Sequence, residues 1–182
     1  MWSQTQGRTA SSGRIRGVTA GEDQQNDTGS AGPALPPLRS AALAAGLLEN
    51  ACAPGPGDPL RLEVVRTLAR DLKEELEALT AVANAGTGAA WVEEVEGALR
   101  AADVANLAAC AIPELPKPRV PEAVASTHLA AGAARALAAL VEAKAKEVHG
   151  DHVHNVLKDV RGAGWRVRLA TLQVYEFLGE EA

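Results

Sequence analysis

An all-α bundle of about five helices is the fold class this sequence predicts, and three observations predict it. Apolar residues recur at three- and four-residue steps in one segment after another. Roughly a fifth of the chain is alanine, the best helix former, whereas aromatic residues make up 3%. Proline and glycine gather mainly between the periodic segments, where they punctuate rather than interrupt.

Residues 1–36 are rich in Gly, Ser, Thr, Gln and Asn and have no apolar period. Such a segment cannot bury enough surface to offset the entropy of ordering it, so a disordered tail is expected, followed by one helical domain over 37–182. Arg8, Arg14 and Arg16 precede the first acid, Glu22, as in an organelle transit peptide. Interspersed glycines spoil the amphipathic helix such a peptide needs. A solvated tail, or a reading frame opened upstream of the true start, accounts for the segment better.

Over 37–53, Leu38, Ala42, Ala45, Leu48 and Cys52 repeat with helical spacing, and Pro54-Gly55-Pro56-Gly57 stops the element. Asp58 followed by Pro59 is a cap and a favoured first-turn residue. From there Val65, Leu68, Leu72, Leu76, Leu79 and Ala83 mark one face of a second helix. Arg66, Arg70, Lys73, Glu74 and Glu77 mark the other, so this helix is amphipathic with one wet side.

Thr87-Gly88 opens a third helix with a stripe of Trp91, Val95, Ala98, Ala102, Ala105 and Ala109. Asp103 and Asn106 stand one turn apart in its otherwise apolar second half. Pro113, Pro116, Pro118 and Pro121 then predict a stiff extended connector.

The stretch 121–149 has only Glu122 and Arg135 as charges before Val141. It predicts a helix apolar around nearly its whole circumference, hence central and wrapped by the others. A membrane span is not expected, because alanine contributes little insertion energy and a central Arg costs about 2.5–3.5 kcal/mol. Gly150 reads as a stop and Asp151 as the cap of a last helix. Its apolar period runs Val153, Val156, Val160, Ala163, Val167, Ala170, Val174 and Phe177. Gly162 and Gly164 interrupt it, predicting either tight packing or a bend near Trp165.

The formal net charge is -5, and residues 1–57 balance to zero by their charged residues, so the acidic excess lies in the helices. That balance argues against a nucleic-acid partner. Cys52 and Cys110 are in no metal-ligand spacing, which points to a reduced, cytoplasmic setting. Each sits in an Ala-Cys-Ala step shortly before a proline, and alternating helices would bring both to one end of the bundle.

Phosphate loops, a nucleophile elbow, paired metal carboxylates and dinucleotide fingerprints are absent, so neither a reaction nor a cofactor is named by the sequence. Three residue sets carry chemistry. His128 with Asp103 or Asn106 has the composition of an oriented general base between two helices, with Arg100 and Arg135 as competing partners for Asp103. His149, Asp151, His152 and His154 form the densest set of metal-ligand types, although His152 and His154 are two apart and fall on different faces of a helix. Lys158, Arg161, Trp165 and Arg168 form a compact basic stripe at three- and four-residue steps, suited to an anionic ligand or to the acidic face of a partner helix.

The function expected is therefore a non-enzymatic helical interaction or assembly module, binding a protein partner or itself. A small helical enzyme or ligand-binding protein around His128 is the alternative, and metal binding at residues 149–154 is a third.

Overall fold

The computed structural model describes residues 35–55, 60–86, 91–147 and 150–179. Five α-helices account for nearly all of them: α1 (Pro36–Ala51), α2 (Leu60–Ala85), α3 (Val92–Ala111), α4 (Val120–Ala145) and α5 (Asp151–Leu178). There is no strand among the described residues. The expected tail lies almost wholly outside them, as do the Asp58 cap, Thr87-Gly88 and His149.

Successive helices alternate in direction. Glu94, near the start of α3, pairs with Lys144 near the end of α4, and Arg61 at the start of α2 pairs with Glu114 just past the end of α3. The order follows from short connections between long helices. Between α3 and α4 the prolines do not form the extended connector their spacing predicts. They make two single 3-10 turns, Ile112–Glu114 and Lys117–Arg119, each with proline near its start, where a missing N–H is not needed by the turn.

Each helix buries the face its spacing implies, with local corrections. In α1, Leu38, Ala42, Ala45, Leu48 and Cys52 are all buried. In α2 the buried line is the seven-residue series Leu62, Ala69 and Leu76, while Leu68 lies outside it, 46% exposed. In α5 the predicted line is buried from Val153 to Val174 except for the half-buried Val156, and Phe177 is exposed. Neither glycine in α5 marks a close approach: the helix continues through both, and a Cβ at Gly162 or Gly164 would meet open space. The cap of α5 is Gly150, with Asp151 as the first helical residue and no side-chain cap bond.

The helix most enclosed by others is α3 rather than α4. It packs against all four other helices, whereas α4 packs against α1, α3 and α5. Small residues decide this geometry. A Cβ added at Gly97 would collide with Leu38 Cδ2 and lie 3.1 Å from Leu137 Cδ1, so α1, α3 and α4 converge where α3 has no side chain. Nearby, the buried Ser126 hydroxyl donates to the Ala44 carbonyl at 2.7 Å, tying α4 to α1.

The far side of α4 is wet. Ala125, His128, Gly132, Arg135, Ala136, Ala139 and Ala143 form an exposed strip, which corrects the expectation of a helix enclosed all round. An alanine side chain loses so little on exposure that apolar composition alone does not force burial. The segment Lys117–Ala145 is long and apolar enough, by length and composition, to cross a membrane; here its buried half supplies the bundle core.

A smaller apolar cluster closes the end where α3 and α5 begin. It contains Trp91, Val141, Val153 and Val160. Trp91 precedes α3 with φ 79°, a left-handed conformation that costs a non-glycine residue about 1–3 kcal/mol. Burial of its indole against α5 offsets that strain, its ring centroid lying 6.2 Å from that of His152.

Candidate functional site

The inner line of α5 is fixed by its apolar period, and the same period fixes what faces outward. Lys158, Arg161, Trp165 and Arg168 are all exposed along one side of the helix. The structure thus brings this sequence-predicted set together. Trp165 is 58% exposed, and the Arg168 guanidinium lies 5.8 Å from its ring centroid, in cation–π range.

Two further residues belong to the same face. Leu169 is 42% exposed and Leu172 39% exposed, four residues beyond Trp165 and Arg168 respectively. The four-residue step that grouped the basic stripe also reaches them, so the signal was present in the spacing. Together they form a ridge whose first half is basic and whose second half is apolar.

Lys158, Arg161 and Arg168 make no ion pair among the described residues, and the Arg168 guanidinium lies over the Trp165 ring. Arg166, on the edge of the same helix, behaves differently. It donates to Asp103, which also lies 3.8 Å from Arg100, and Arg100 in turn reaches Glu75 of α2 at 2.7 Å. Inward-leaning charges therefore form a chain linking α5, α3 and α2, while the outward ones are left to solvent.

That chain of charges answers the question of Asp103. Its partners are Arg166 and Arg100, and Asn106 is exposed, whereas the exposed His128 has Tyr175 as ring neighbour at 5.7 Å. No hydrogen bond joins His128 to either Asp103 or Asn106. The structure does not assemble this set. An open groove of about 270 Å³ does adjoin His128, lined by Pro36, Pro37, Ser40, Leu129, Gly132 and Ala136 among others. Among the described residues it contains no carboxylate to orient the imidazole, and the Ser40 hydroxyl is already donated to the Pro36 carbonyl at 3.2 Å.

The histidine-rich set is also dispersed. His152 and His154 both lie within α5, where two residues correspond to about 200° of rotation; His152 meets Trp91 and both are exposed. His149 lies outside the described residues, and nothing is described of the Asp151 side chain. Among the described residues, no three His, Cys, Asp or Glu side chains are gathered as a metal ion requires. Cys52 is buried and Cys110 is exposed.

Two other grooves flank α2. One of about 510 Å³ lies between α1 and α2, with Leu43, Gly46 and Leu47 as floor and Arg39, Lys73 and Glu77 at its rim. The second, about 370 Å³, lies between α2 and α3 and is lined chiefly by Val64, Val65, Leu68, Leu107 and Cys110. Arg61 and Glu114, which pair with each other, also line it.

No protein-family model matches this chain, and no curated protein matches it in sequence.

Proposed function

We propose that the protein is a non-enzymatic helical assembly module that associates with further copies of itself through the outer face of α5. One observation carries this reading: Trp165 stands 58% exposed in line with Leu169 and Leu172, beside Lys158 and Arg161, which pair with no acid among the described residues. Exposed large apolar side chains that run in line, rather than scattered singly, are the surface an interface covers. Trp and Arg are also the residues that dominate binding energy when a partner excludes water from them.

The rest of the molecule supports an interaction role. Among the described residues the grooves are open and mainly apolar, and His128 has neither Asp103 nor Asn106 as a hydrogen-bond partner. The exposed free thiol of Cys110 suits a reduced cytoplasmic setting.

Light scattering and sedimentation of the full chain test the proposal. Mass should rise with concentration, and Trp165→Ala should weaken association about tenfold or more while the melting temperature stays unchanged. A wild-type chain that remains strictly monomeric across the concentration range would overturn it.

A further inference from the structure

A second copy must offer some surface to the α5 ridge, and the ridge itself is suited to that part. Resting on the proposed function, we infer that the ridge docks on the same ridge of a second copy, antiparallel, across a two-fold axis level with Val167. An acid stands at the far end of the basic ridge. Glu176, four residues beyond Leu172, is exposed and makes no ion pair among the described residues.

At about 100° per residue, Lys158, Arg161, Leu169, Leu172 and Glu176 all lie within about 40° of Trp165 around the helix. They share one face. Its two ends carry opposite signs, and Lys158 and Glu176 both lie about 20° from Trp165 on the same side. An antiparallel two-fold contact keeps each residue on its own side of the seam and exchanges the two ends. Lys158 of each copy therefore meets Glu176 of the other.

The apolar residues select the same axis. Lys158 and Glu176 stand nine residues before and after Val167, and Trp165 and Leu169 stand two before and after it. One register thus pairs charge with charge and sets each Trp165 indole on Leu169 of the other copy. Arg168, about 60° from Trp165, falls at the edge of the contact, where each guanidinium stays over its own indole and water screens one from the other.

Net charge sharpens the choice. At -5 the chain repels its own copies in general, so attraction requires opposite signs brought face to face. From Lys158 to Glu176 the helix rises about 27 Å. A contact of that length and one helix wide is small, which makes association dependent on concentration. Because both copies use the same face, docking consumes it and assembly stops at two chains.

Charge reversals in the full chain test this. Both positions are exposed, so Lys158→Glu and Glu176→Lys should leave the circular dichroism spectrum unchanged. In sedimentation equilibrium the wild-type mass should level off at two chains. Either reversal alone sets like charges together at both ends of the contact and should weaken association about tenfold or more. The double variant, Lys158→Glu with Glu176→Lys, should regain wild-type association, as should an equal mixture of the two single variants. If the single variants associate like wild type, the double variant stays as weak as a single one, or the wild-type mass climbs past two chains, the two-fold contact is overturned. Loss of assembly in Trp165→Ala then still upholds assembly through α5, with a different receptor. A wild type that stays monomeric at every concentration overturns both readings, and binding of vesicles of anionic phospholipid by that monomer assigns the face to another occupant.

Discussion

The seam where α1, α3 and α4 converge and the outer face of α5 use opposite rules. At the seam Gly97 admits Leu38 and Leu137 so closely that no side chain fits between them, and each of these leucines is completely buried. On α5, Trp165, Leu169 and Leu172 stand in water, and the glycines beside them, Gly162 and Gly164, touch nothing that a methyl group would disturb. Small residues at the seam serve close packing. On α5 the large residues stay partly exposed among the described residues. One surface closes within the bundle, and under the proposed function a partner completes the other.

Substitutions can break that comparison, and the largest effects belong to the seam. Leu137→Ala should destabilise by about 2–5 kcal/mol in denaturant unfolding, because the cavity it leaves is walled by three helices. Gly97→Ala should destabilise as well, since overpacking costs about 1–3 kcal/mol and exceeds a helix-propensity gain of about 1 kcal/mol. Ser126→Ala removes the hydrogen bond to Ala44 and should cost about 1 kcal/mol by the same measurement.

The same glycine substitution should change sign on α5. With open space at the site, Gly162→Ala should stabilise by up to about 1 kcal/mol, seen as a raised melting temperature. If Gly97→Ala and Gly162→Ala shifted stability in the same direction, the contrast between the two regions would collapse. Smallest of all, Trp165→Ala should change unfolding free energy by no more than about 0.5 kcal/mol, because its ring packs on little of its own chain.

Much of the fold was legible because local chemistry sufficed. The Pro54-Gly55 stop, the Gly150 break and the three- and four-residue apolar steps each act within a few residues of themselves. The identity of the most enclosed helix was not legible, since composition misreports burial in both directions. On α4, Ala136, Ala139 and Ala143 are apolar yet wet, whereas on α3 Glu93 and Glu94 are charged yet 8% and 5% exposed. Burial there depends on which helix lies opposite, a fact carried by no single segment.

The candidate sites divide along the same line. Lys158, Arg161, Trp165 and Arg168 lie on one helix, so periodicity alone groups them, and it extends to Leu169 and Leu172. Joining His128 to Asp103 required knowing how α3 and α4 face each other. In the fold, Asp103 turns to Arg166 and Arg100 instead.

Covalent labelling of side chains at rising protein concentration tests the central claim most directly. Labelling of Trp165 should fall as copies associate, while Leu43, 60% exposed on α1, keeps a constant rate as an internal control. Unchanged labelling of Trp165 across a range in which the mass rises would contradict the account, because assembly would then proceed through some other surface.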